Sequence, residues 1–329
     1  MTSLVARTGI TVALCASLAA CSGGTAFTPA APQMEALPVE PVTMPLQIAP
    51  ADVDAARRAR VLSYHLMAPR TERSSTVFGS DRKIVYPADL VRKNGPIVKS
   101  AAAYNVYVNC KGGGETCWGD PEGFQKNLTG SRFAQLLEQY TKSPPTAYTF
   151  GGAFSVKYST YTKLLYQNDL LTILHAALVK NGLKAGYDSI YHLFLPKGTD
   201  TCFDRSRSCY SPDHPAKFNF CAYHESVSFP DVPGHVIVSV EPYQLVGFCA
   251  SRRSSGASAL TNSTASTLAH ETFESITDPG PAFAWFNFTF DSEVADLCET
   301  YQWKIPVGGV TYSLQPMYSN RYHACADGP

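Results

Sequence analysis

Apolar and polar positions along the chain follow a changing period, and each change marks an element. Ile10 to Ala20 is a continuous apolar run, too short to cross a bilayer as a mature helix. From Ser22 to about residue 50 the apolar residues are scattered among Pro29, Pro32, Pro38, Pro41, Pro45 and Pro50. Proline fixes φ and removes a backbone donor, so this stretch reads as an extended tether. Ala, Arg and Leu at helical spacing predict a helix over 51–68, and Pro69 to Gly79 reads as a loop. Tyr104 to Val108 is expected to be a buried strand, with a turn at Gly112-Gly113-Gly114. Ser131 to Tyr140 predicts a helix, and the alternation from Thr146 to Val156 a strand. Asn168 to Asn181 is the clearest amphipathic helix, with Asp169 near its start and Gly182 beyond its end. Its His175 is read as a core or surface residue. Three strands follow at Ile190–Leu195, Phe218–Phe229 and His235–Val240. A polar loop from Ser251 to Ser258 leads to a helix that begins near Ser263 and stops at Asp278-Pro279-Gly280. Asp291 to Glu299 predicts a short helix. This order of strands and helices indicates an α/β or α+β domain, with a mixed sheet packed by helices.

The N-terminal run changes the picture of where this domain resides. Arg7 precedes it, and it ends Leu18-Ala19-Ala20-Cys21, which resembles the lipobox of bacterial lipoproteins. The resemblance implies a signal peptide over 1–20 and lipid attachment at Cys21. The lipid anchor, tether and short helix then fill 21–70, and a globular domain fills 71–329. Ser22 after the cysteine implies the outer membrane in a Gram-negative envelope. The expected first partner is therefore the membrane, reached through lipid.

Twenty-seven basic residues balance twenty-seven acidic ones, so nothing favours a grip on nucleic acid. Eight cysteines remain once Cys15 leaves with the signal and Cys21 takes lipid. An even number in an exported chain implies disulfides. Proximity suggests Cys110–Cys117, Cys202–Cys209, Cys221–Cys249 and Cys298–Cys325. No Cys-x-x-Cys occurs, which argues against a zinc cluster built from thiolates.

Candidate chemistry concentrates in the helix near Ser263. His270 and Glu274 are four apart and project from one face. His270-Glu271-Thr272-Phe273-Glu274 is the zincin pattern His-Glu-x-x-His with Glu in the last place. In that pattern the outer residues bind metal and the inner Glu serves as general base. Glu293 lies 19 positions beyond Glu274, the spacing at which the thermolysin-like class supplies a third ligand. The expected set is thus His270, Glu274 and Glu293 on a divalent metal, zinc by analogy, with Glu271 as base. Asp296 and Asp278 would support the ligands from behind. Two carboxylates on one ion weaken it as a Lewis acid and relax its selectivity for zinc.

Ser266 to Pro279 resembles the "AHELAE-x-x-T-N/D-P" segment of the EXORDIUM family, the phosphate-induced proteins. Ala284-Trp285-Phe286 is similar to that family's Ala-Trp-Tyr, and Glu293 to Glu299 to its Glu-Ile-Ala-Asp-Leu-Cys-Glu. Phe220 to His224 resembles its Cys-Gly-Phe-His, and Asn94 to Val98 its Gly-Gly-Pro-Val entry. The likeness spans about residues 86 to 329; Thr311 to Cys325 lacks the Gly-rich pattern of plant members. It implies an extracellular protein whose His270, Glu271, Glu274, Glu293 and Asp296 share one site. His224 and Trp285 join as further candidates, the first presented by a neighbouring strand, the second as a cleft wall.

Three functions fit these residues. The first is a metal-dependent, peptidase-like hydrolase with a peptide or cell-wall substrate. The second is a non-catalytic surface or wall-binding protein whose acidic cluster holds a structural ion. The third is metal-free glycoside hydrolysis by Glu271 and Glu293.

Overall fold

The computed structural model describes residues 45–67, 84–110, 117–159, 163–203, 208–251 and 253–329. The expected signal peptide, Cys21, the expected loop 69–79 and the expected glycine turn at 112–114 lie outside these residues. The compact unit runs from Thr43 to Pro329. It therefore begins well before residue 71, and the segment 51–68, expected as a short helix preceding the domain, belongs to it.

Its centre is a seven-stranded mixed sheet. The strands are β1 (Leu46–Gln47), β2 (Arg60–Met67), β3 (Ala101–Val108), β4 (Tyr148–Lys157), β5 (Ser189–Phe194), β6 (Ala222–Ser228) and β7 (Val236–Glu241). They lie in the order β1-β4-β3-β5-β7-β6-β2. The first five run parallel to their neighbours, and β6 is antiparallel to both β7 and β2. Tyr191, Leu193, Val238 and Val240 point to one face, and helices α1 (Pro50–Arg58) and α3 (Gln167–Lys180) cover them. Ile190, Phe194, Ile237 and Tyr107 point to the other, beneath α4 (Ala259–Thr277). Helix α2 (Pro121–Leu128) packs on that second face beside α4, as does the hairpin of β8 (Trp303–Val307) and β9 (Val310–Leu314).

The predicted helix over 51–68 is two elements. Helix α1 ends at Arg58, and the chain continues as β2. Local Ala and Arg content favours helix, but pairing along the length of β6 wins. The 131–140 segment is a 3₁₀ turn, Ala134–Leu137, running into a single helical turn, Glu138–Thr141. Helix α4 begins at Ala259, earlier than expected, because Ser258 caps it by accepting the Thr261 N–H at 3.1 Å. The predicted 291–299 helix is only a 3₁₀ turn at Asp296–Cys298.

Helix α4 is buried all round from Thr261 to Thr277, so it shows no polar outer face. Several of its hydroxyls are satisfied within the protein, whereas those of Thr264 and Ser275 are buried without a partner. Thr272 and Thr277 donate to the carbonyls one turn back, at Leu268 and Phe273, and Thr267 donates to Gln244 at 3.0 Å. Four disulfides brace the unit, in the pairs expected: Cys110–Cys117, Cys202–Cys209, Cys221–Cys249 and Cys298–Cys325. They mark an oxidising compartment. No helix among the described residues is long and apolar enough to cross a membrane.

Candidate metal centre

The sheet prepares the site before the helix arrives. Asn105, His192, Ser239, His224 and His65 are register partners across β3, β5, β7, β6 and β2. They form a polar row on the face that α4 covers. His65 and His224 end the row with their rings stacked, centroids 5.1 Å apart. Helix α4 lowers His270, Glu271 and Glu274 onto this end. The turn after α4 returns Glu293 and Asp296.

Backbone geometry makes that return possible. Residues 91–95 run beside 282–286; Gly95 N–H donates to the Phe283 carbonyl at 2.9 Å. A Cβ on Gly95 would sit 2.0 Å from the Ala282 carbonyl oxygen, so only glycine fits. Gly280 has φ +69°, and a Cβ there would meet Ser63 of β2. The loop therefore lies close on the edge strand and brings Phe283 and Phe286 beside His65.

Three imidazoles and four carboxylates converge. Their potential ligand atoms fall in three linked groups, each within 4.8 Å: His65, His224 and Glu293; His224, Glu271 and Glu274; and His270, Glu274 and Asp296. His65 Nδ1 is 2.9 Å from Glu293 Oε2, and His224 Nε2 is 3.8 Å from Glu293 Oε1. His224 Nδ1 meets Glu271 Oε2 at 3.2 Å. His270 Nε2 is 3.0 Å from Glu274 Oε2 and 3.5 Å from Asp296 Oδ1. Of the set expected from sequence, His270 and Glu274 share a group, whereas Glu293 faces His65 and His224. Glu271 lies fully buried behind His224. Asp278 is set back: its Oδ1 accepts the Ala284 N–H at 2.8 Å.

Several of these atoms are close without being hydrogen-bonded. His224 Nε2, His270 Nε2, Glu271 Oε1 and both oxygens of Glu293 are buried and have no aligned partner. Hydrogen bonding on the far side of each ring explains why. Gln315 donates its amide to the Ala295 carbonyl at 2.6 Å, so its oxygen is left to accept from His270 Nδ1 at 3.3 Å. That leaves Nε2 aimed at two carboxylates, Glu274 Oε2 and Asp296 Oδ1. His224 likewise spends Nδ1–H on Glu271 and turns Nε2 to Glu293. At His65, His224 and Glu293 these atoms converge at distances that a shared cation could bridge.

The electrostatics divide the cluster. Burial lowers His65 to about 4. Burial, then the His65 and His270 charges, lowers His224 well below the usual imidazole range. Both rings are thus neutral and free to ligate. Burial and neighbouring carboxylates, Glu274 first, hold Glu271 and Glu293 well above the ordinary range. Burial lowers His270, but Glu274 and Asp296 outweigh it and raise the ring to about 9. Burial, with Glu274 adding to it, pushes Asp278 up to about 7.

Access is from one side. A cleft of about 480 Å³ runs along β2, walled by Phe203, Phe283 and Phe286 and by Asp291 and Asp296. Of the cluster, only His65 and Asp296 line it, at 19% and 20% exposure. Trp285 does not; its Nε1–H donates to the Tyr140 carbonyl at 2.9 Å and its ring packs edge-on to Tyr140. His175 is a buried structural residue between Asp52 at 2.9 Å and Asp231 at 3.0 Å.

Sequence reasoning missed His65, Gln315 and the two phenylalanines. A period of two through Val61, Ser63, His65 and Met67 was the available signal for the first. No family model, no curated protein and no solved structure matches the chain.

Proposed function

We propose that the protein is an exported, lipid-anchored hydrolase of peptide-like substrates, dependent on a divalent cation held by His65, His224 and Glu293. The observation that carries this reading is the set of buried, unpartnered imidazole and carboxylate atoms at the floor of an aromatic-walled cleft. Two imidazoles and one carboxylate place a single negative charge on the ion, the donor balance of His₂Glu catalytic zinc sites. A cation bound there supplies Lewis acidity and acidifies a water. Glu271 holds the Nδ1–H of His224 and fixes that ring's tautomer. His65 presents its edge to the cleft, and Phe283 and Phe286 stand edge-on to it, 6.0 and 6.2 Å away between centroids. They exclude bulk water and offer apolar contact to a side chain. Asp291 and Asp296 are the carboxylates that a proton released in the cleft can reach.

The blocks that resemble the EXORDIUM family are those that meet here: Phe220 to His224, Ser266 to Pro279, Glu293 to Glu299, and Asn94 to Val98 against residues 282–284. That convergence supports placing the chain with those cell-surface proteins. Lipid on Cys21 would hold it at the envelope. Glycoside hydrolysis by Glu271 and Glu293 is not carried forward, because both are fully buried and neither lines the cleft. Burial of most of the donors favours one second reading, a structural ion in a surface-binding protein.

The test is cleavage of a quenched-fluorescent peptide library by the mature protein, before and after chelation, with Zn²⁺ or Mn²⁺ restored. Cleavage that chelation abolishes and metal restores, and that His65→Ala removes, is the expected result. A metal-loaded protein that cleaves nothing across the library favours the structural ion.

A further inference from the structure

We propose that His270, Glu274 and Asp296, joined by Gln315, form a positioning clamp that sets Glu293 against His65 and His224 before any ion binds; this rests on the metal-centre reading above. None of the four is a ligand in that reading.

The three ligands are placed in different ways. Strand register sets His224 opposite His65. Glu293 has no such support, because residues 293–295 belong to no helix or strand. Its carboxylate lies 2.9 Å from His65 Nδ1 and 3.8 Å from His224 Nε2, yet neither oxygen has an aligned hydrogen-bond partner. The head of the side chain is therefore held through its backbone.

That backbone is gripped from three sides. The Glu293 N–H donates to Asp296 Oδ2 at 3.0 Å. The Ala295 and Asp296 N–H groups both donate to Glu274 Oε1 at 3.2 Å. The Ala295 carbonyl accepts from the Gln315 amide at 2.6 Å, and the Val294 carbonyl from the Tyr318 N–H at 2.9 Å. Three of these five bonds end on carboxylates, and bonds to an ionised acceptor are about twice as strong as neutral ones.

His270 is the hub. Its Nε2 lies 3.0 Å from Glu274 Oε2 and 3.5 Å from Asp296 Oδ1, the second oxygen of each carboxylate, and its Nδ1 lies 3.3 Å from Gln315 Oε1. Burial opposes charge on this ring, but Glu274 and Asp296 raise it to about 9. The imidazolium offsets the two carboxylates that grip the turn and keeps them ionised inside the protein. The motif helix thus acts behind the ion, by fixing the backbone of a ligand that the sheet does not reach.

The experiment measures Zn²⁺ affinity by competition with a chromophoric chelator for the unaltered protein, Glu274→Ala, Glu293→Ala and the double variant. Glu274→Ala should weaken binding about 10–100-fold. In the Glu293→Ala background the same change should cost less than about twofold, because the clamp acts only through Glu293. Equal losses in the two backgrounds overturn the clamp and leave the ion. Deuterium exchange over residues 293–299 of the unaltered protein needs no variant. The Ala295 and Asp296 amides should be as protected without Zn²⁺ as with it. Fast exchange that Zn²⁺ suppresses overturns the clamp, since the ion then builds the turn. No Zn²⁺ bound by the unaltered protein overturns the metal centre and the positioning role with it.

Discussion

Replacing Glu271 by Gln keeps the shape of the side chain and removes the ionisable group that His224 Nδ1 meets at 3.2 Å. Loss of such a supporting partner behind a metal-bound imidazole costs about 10–100-fold in affinity, or roughly 1.4–2.7 kcal/mol. Gln can still accept the Nδ1–H bond, so the expected value is near the lower end. Burial and the charges of Glu274, Glu241 and Asp296 hold Glu271 protonated well above the ordinary carboxylate range. A cation must expel that proton on binding, and Glu271→Gln should release about one proton fewer. Zinc titration calorimetry on the metal-free protein, in two buffers of different ionisation enthalpy, gives affinity and proton count together. Unchanged affinity and unchanged proton release with catalysis abolished would refute the reasoning. Glu271 would then act on substrate as a base, the role its place in the motif suggested.

Other outcomes follow from the same contacts. Glu225, buried on β6 and held at 2.7 Å by Gln167, is raised by burial from 4.5 to about 8, with Gln167 opposing. A carboxylate raised in the folded state loses its stabilising contribution as pH climbs from the unfolded value through the folded one. Melting midpoints should therefore fall between pH 5 and pH 8, and Glu225→Gln should flatten that fall, recovering up to about 4 kcal/mol at pH 8. Equal slopes for the two proteins would contradict this. Gly95→Ala drives a Cβ into the Ala282 carbonyl and should cost about 1–3 kcal/mol in denaturant unfolding, with cleft function lost alongside. Removing Cys221–Cys249, whose ends are 28 residues apart, should cost roughly 3–4 kcal/mol by loop entropy and loosen His224, three positions on. An unchanged denaturation midpoint would show that β6 needs no brace.

Much of the fold was legible because its signals are local. Helix α3 shows its apolar period, its acidic start at Asp169 and its glycine stop at Gly182, and the strands around the sheet centre are β-branched and aromatic. The helix bearing His270, Glu271 and Glu274 was legible for the same reason. What escaped depends on pairing over long separations. The edge strand β2 contains Ala-flanked residues compatible with helix, and only its register with β6 sets His65 opposite His224. Gln315 reaches His270 from β9's far end, 45 positions away, and no spacing rule signals that. Glu293 was found by spacing, but whether it faces His270 or the two sheet histidines is decided by the turn at Asp296–Cys298.

The account is tested most directly by crystallising the protein with Zn²⁺ and collecting anomalous diffraction at the zinc edge. It predicts a peak about 2 Å from His65 Nδ1, His224 Nε2 and a Glu293 oxygen. A zinc-soaked crystal with no peak in this cluster, and its seven side chains arranged as described, would contradict it.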